Sequence, residues 1–138
     1  MIRVMIAGSF DAVRHGLKGI LEQQPDIRVS DEARSVQEVF KKCDQRNCDV
    51  LILDFDMQRQ GSLEILKKLA PQCPTVPIVV MSIHSEEQVA HRVLTAGAKR
   101  FLAKDSISET VVQAVRKTFE EERFDSQALA RRIEPLDA

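Results

Sequence analysis

The chain has 138 residues, 43% of them hydrophobic and 30% charged, which suits a single globular domain with an ordinary core and leaves no room for a second full domain. Its 20 Lys and Arg against 21 Asp and Glu give a formal net charge of -1, so it offers no chain-wide attraction to nucleic acid or to an anionic membrane. No apolar run approaches the roughly 20 residues that span a bilayer, and MIRVMIAG is too short for a secretory signal, so a cytoplasmic location without membrane contact is expected.

Ile2 to Ala7 reads as the first strand, and Val13, Leu17, Ile20 and Leu21 then recur at helical spacing. A short apolar run at Ile27 to Val29 gives a second strand. Ser35 with Glu38, spaced as a capping box, opens a helix carrying Val36, Val39, Phe40 and Cys43. Val50 to Leu53 is apolar at every position, as suits a strand covered on both faces, and Leu63, Leu66 and Leu69 mark the helix after it. Pro77 to Met81 repeats that pattern. A helix capped by Ser85 with Gln88 follows, carrying Val89, Val93 and Ala96 and stopped by Gly97. Arg100 to Ala103 is the fifth strand, and Ser106 with Glu109 opens a fifth helix with Val111, Val112, Val115 and Phe119. Strand–helix alternation with short links predicts an α/β doubly wound parallel sheet with right-handed crossovers, formed by residues 1–122. The remainder, 123–138, reads as a linker holding one more short helix, Ser126 to Ile133, before Pro135.

Three cysteines, Cys43, Cys48 and Cys73, lack CxxC spacing and are odd in number, so they are expected to be reduced and structural. His15, His84 and His91 are scattered and suggest no metal site.

Ligands of an open parallel sheet gather outside the carboxyl ends of its strands. The residues placed there are Gly8, Ser9 and Asp11 after the first strand, Asp54 and Asp56 after the third, Ser82 after the fourth, and Lys104 with Asp105 after the fifth. A carboxylate, a hydroxyl and an ammonium converging from three strands make a phosphoryl site: Asp54 as nucleophile, Ser82 as hydrogen-bond partner of a phosphoryl oxygen, Lys104 as neutralising charge. Taken singly, each has a blander role as a turn cap, a helix cap or a solvated side chain.

The segments IRVMIA, VRHGLKGILEQQPDI, CDVLILDFDM, VPIVVMSIH and AGAKRFLAKD, in that order, resemble the receiver domain of bacterial response regulators of the NarL/FixJ type. The resemblance implies a flavodoxin-like (βα)5 sheet of order 2-1-3-4-5. It makes Asp54 the phospho-acceptor, Ser82 the switch hydroxyl, Phe101 the switch aromatic and Lys104 the phosphate-sensing lysine. The implied role is signalling rather than enzymatic, with a histidine kinase as donor, an output domain or partner protein downstream, and a homodimer among the assemblies.

One part of that pattern is missing. Receivers of this kind carry two acidic residues after the first strand that hold Mg²⁺ with the acceptor, whereas AGSF places Gly8 and Ser9 there. Mg²⁺ demands near-octahedral oxygen ligands, so its binding is expected to be weak or absent, and no other cofactor is expected. Asp11 and Asp56 are candidate substitute ligands, although Asp11 also reads as a helix-start residue and Asp56 as a solvated one. Arg59 is a candidate to pair with Asp54 in place of the cation. The expected protein is therefore an atypical receiver acting through protein contacts; the alternative is an ordinary one, phosphorylated on Asp54 and controlling a transcriptional output domain. A flavin or nucleotide binder on the same sheet is disfavoured, because the first loop has neither a P-loop nor GxGxxG, and Trp and Tyr are absent. Direct binding of DNA by this chain is not expected, since Arg131 with Arg132 is too small a basic patch.

Overall fold

A computed structural model describes residues 1–43, 48–54, 62–83, 86–103 and 107–133, without the side chains of 62, 107–109 and 124–133. The elements run β1 (Ile2–Ala7), α1 (Asp11–Glu22), β2 (Ile27–Ala33), α2 (Val36–Cys43), β3 (Val50–Asp54), α3 (Ser62–Gln72), β4 (Ile78–Ser82), α4 (Glu87–Thr95), β5 (Arg100–Ala103) and α5 (Ile107–Ile133). The five strands are all parallel, in the order β2-β1-β3-β4-β5, as the resemblance implied.

Alternating side chains of the central strands feed two apolar layers, because successive residues of a strand point to opposite faces. Met5, Leu51, Leu53, Ile78 and Val80 pack with Val39, Leu66, Leu69 and Val93 beneath α2, α3 and α4. Ile6, Ile52, Val79 and Met81 pack with Leu17, Leu21, Val111 and Val115 beneath α1 and α5. Every residue of β3 and β4 is buried, which is why these strands read as unbroken apolar runs.

Where local signals were clear the boundaries agree. The backbone N–H of Glu38 donates to Ser35 Oγ at 3.2 Å, and Glu38 Oε2 accepts from the backbone N–H of Arg34 at 2.8 Å, one residue before the cap. Gly97 ends α4 with φ 123°, and a Cβ there would meet the Ala70 Cβ at 2.6 Å. Gly97→Ala should therefore cost about 2 kcal/mol, from a strained backbone and a contact on α3 that must open. A urea-unfolding midpoint unchanged from wild type would contradict this account of the α3–α4 packing. The caps assigned to Ser85 and Ser106 fall outside the described residues; α4 itself opens after Glu86, which makes no side-chain cap bond.

Three expectations need correction. β2 extends past Val29 to Ala33, because the edge strand carries Ser30, Asp31 and Glu32, whose polar side chains erase the apolar signal without preventing pairing to β1. α5 runs unbroken through Ile133, 27 residues or about 40 Å, and so absorbs the separate short helix placed at Ser126 to Ile133. Cys43 and Cys73 are joined in a disulfide, Cα atoms 6.0 Å apart, that ties the end of α2 to the turn after α3. Cysteines 30 residues apart carry no spacing signal; the packing of α2 beside α3 brings them together. Cys48 is free and buried.

Candidate functional site

Asp54 is the last residue of β3 and only 6% exposed. It lies opposite Met81 of β4, so Ser82, the buried last residue of β4, stands one step further along the neighbouring strand. Gly8 follows β1 on the other side, where its backbone N–H donates to the Ala33 carbonyl at 2.9 Å. A Cβ on Gly8 would lie 3.3 Å from the Asp54 Cβ and 3.5 Å from Asp54 Oδ2. The ends of three adjacent strands thus converge on the acceptor position, and the first loop approaches it as backbone with no side chain between.

The sequence reading missed the most unusual residue at this site. Arg14, on the first turn of α1, is 2% exposed and is among the largest fully buried side chains. Its Nη1 donates to the Gly8 carbonyl oxygen at 2.6 Å, its Nε donates to Glu32 Oε1 at 3.3 Å, and its Nη2 donates to Asp11 Oδ1. That bond holds the Asp11 carboxyl below its ordinary range, with the guanidinium charge adding to it. A signal was present: Arg14, Leu17 and Leu21 share the buried stripe of α1, and an arginine on such a stripe must find anionic partners inside the fold. One of those partners, Glu32, lies on the part of β2 beyond the run Ile27 to Val29 from which the strand was read.

The Arg14 stem passes 3.8 Å from where a Gly8 Cβ would be, so Arg14 and Asp54 flank the same gap. Both line a small cavity floored by Ile6, Leu17, Ile52 and Met81, with room for about one water molecule.

These residues do not fit a divalent cation of the kind the fold implies. Gly8 supplies no side-chain oxygen, and Ser9 is exposed and carries only a hydroxyl. Among the described residues no group of three or more His, Cys, Asp or Glu is arranged to hold a metal. Asp11, one of the candidate substitute ligands, is turned to Arg14. Asp56, Arg59 and Lys104 lie outside the described residues. Phe101, on β5, is half-buried, its ring packed against the core layer beneath α2, α3 and α4.

Known proteins share this arrangement of strands. The family pattern "Response regulator receiver domain" matches residues 4–116. Response regulator UvrY of Escherichia coli K12 is 30% identical over 133 residues, which is 96% of this chain and 61% of UvrY. Response regulator GacA of Pseudomonas viridiflava is 31% identical over 133 residues, 96% of this chain and 62% of GacA. This chain therefore spans about three-fifths of the length of these relatives. Among solved structures, the signal receiver domain of NarL from Mycobacterium tuberculosis superposes with a TM-score of 0.78 at 23% identity, covering 86% of this chain and 96% of that one.

Proposed function

The chain belongs to the response regulator receiver family, and from that premise we propose that it is an atypical receiver, with Asp54 as the acceptor position and little or no dependence on Mg²⁺. The receiver occupies residues 1–122, and 123–138 leads towards an output domain or partner protein. The observation that carries this reading is that Gly8 and Ser9 stand where the resemblance places two loop carboxylates, with Gly8 lying directly against Asp54. In the proposed step an Asp54 oxygen bonds to phosphorus as the P–N bond of a phosphohistidine donor breaks. The imidazole keeps the electron pair and takes up a proton from water. Two anions approach each other in this step, so the site needs positive charge, which Lys104 supplies together with the protein around it. Ser82 then hydrogen-bonds a phosphoryl oxygen, and Phe101 reports the change to the face of α4, β5 and α5, where a kinase, an output domain or a second copy docks. Such signalling places the protein in the cytoplasm; among the described residues no helix is long and apolar enough to cross a membrane.

A second reading is favoured by the relatives, which are named as response regulators without qualification. On it the chain is an ordinary receiver that takes phosphate from a histidine kinase with Mg²⁺ and controls a transcriptional output domain. Incubation with acetyl phosphate separates the two, read as mass gain on intact protein with Asp54→Asn as the blank. The atypical reading expects labelling that is slow and indifferent to Mg²⁺. Labelling that rises about 100-fold with Mg²⁺ establishes the ordinary receiver.

A further inference from the structure

We propose that Cys43 and Cys73 form a reversible redox switch: oxidation to the disulfide locks α2 onto the domain, and reduction by a small thiol of the glutathione class lets α2 open without unfolding the sheet. The inference rests on the cytoplasmic placement proposed above, not on the role of Asp54, and goes beyond that reading by adding a response to redox state.

Three observations carry it. First, the bond is a principal hold on α2, which is 8 residues long and buries Val39 and Cys43. A helix that short is marginal in water by itself, so it depends on what anchors it. Lys42 reaches Asp31 at 3.0 Å and the Glu32 carbonyl at 2.7 Å, but these contacts are partly exposed and weak beside a covalent link. Second, Cys73 is the fixed partner: its backbone N–H donates to the Leu69 carbonyl at 3.1 Å, and its carbonyl accepts from the Val76 N–H at 3.1 Å. When the bond opens, α2 is therefore the part that moves. Third, the reduced form is also accommodated, because the Phe40 carbonyl lies 3.6 Å from Cys43 Sγ and gives a thiol there an acceptor.

In a cytoplasm kept reducing by thiols a disulfide is transient, and those that form respond to redox state. In the oxidising direction Cys43, uncovered when α2 opens, loses its proton and attacks glutathione disulfide. The glutathione S–S bond breaks, a mixed disulfide forms on Cys43, and one glutathione leaves as a thiolate and takes up the proton. Cys73 then loses its proton and attacks the Cys43 sulfur, which releases the second glutathione as a thiol. The two cysteine sulfurs are oxidised and glutathione disulfide is reduced to two thiols; excess reduced glutathione runs the same steps backwards. Cys48 stays outside this cycle, because burial keeps its thiol protonated.

The test is amide hydrogen exchange of the full chain in reduced and in oxidised glutathione, with free thiols counted by mass after alkylation in denaturant. The bond should open in the first buffer and reclose in the second. On reduction the protection of α2 amides should fall about 10-fold further than that of β3 and β4, since α2 opens while the sheet holds. Cys43→Ala combined with Cys73→Ala should show the reduced pattern in both buffers; should that variant fail to fold, wild type in the two buffers decides the matter. A bond that stays closed in reduced glutathione, or α2 protection that falls only in step with the strands, makes the disulfide a permanent staple and overturns the switch. Acetyl phosphate labelling reads Asp54 separately on the same purified protein, so either failure leaves the receiver reading intact.

Discussion

Gly8→Asp combined with Ser9→Asp should turn the site into one that binds Mg²⁺ and takes phosphate in a metal-dependent way, with affinity for the ion rising on the order of 100-fold over wild type. Two hard anionic oxygens would then join Asp54, which ends β3 beside them. The gain has a structural cost. The new Cβ at position 8 would sit 3.3 Å from the Asp54 Cβ, so the loop must give by a few tenths of an ångström, and three carboxylates would crowd one strand end. In EDTA the double variant should therefore melt below wild type, and at Mg²⁺ about 100-fold above its dissociation constant it should regain roughly 2.7 kcal/mol. Calorimetric Mg²⁺ titration of the wild type and the double variant measures this. If both bind Mg²⁺ alike, the two carboxylates do not govern the metal.

Cys73→Ala should destabilise the domain by about 3 kcal/mol and lower its melting temperature by about 10 °C. The disulfide to Cys43 closes a loop of 30 residues that takes in β3, α3 and their connections, so its loss restores a large share of chain entropy to the unfolded state. Both cysteines are buried in the layer beneath α2, α3 and α4, and truncation there also removes packing. Reductant added to wild type should reproduce most of the shift; a melting temperature indifferent to reductant would mean that the bond contributes nothing. The third cysteine does not interfere. Burial first, and then the charge of Asp49, push the Cys48 thiol up to about 11, so it stays protonated at neutral pH and is a poor attacker of the disulfide. Thiol titration of the folded protein should therefore find no fast-reacting cysteine.

What the sequence determined by itself is what a one-dimensional pattern can record. Val50 to Leu53 and Ile78 to Met81 are apolar at every position because both faces of a central parallel strand are covered, and that state of burial is written into consecutive residues. The helix stop at Gly97 and the cap at Ser35 were legible for the same reason, since each depends on a few neighbouring residues. The strand-end positions of Gly8, Asp54 and Ser82 followed once the strands were placed. Tertiary structure alone decided which distant residues meet. Arg14 looks like a surface residue until β2 is extended to Glu32, 18 residues on, and laid beside β1 in parallel. Cys43 and Cys73 become partners only when α2 packs against α3, and the opening at Gly8 matters only because β3 brings Asp54 to it. In a parallel sheet every strand neighbour is reached through a crossover helix, so such contacts depend on chain path and handedness, which periodicity does not encode.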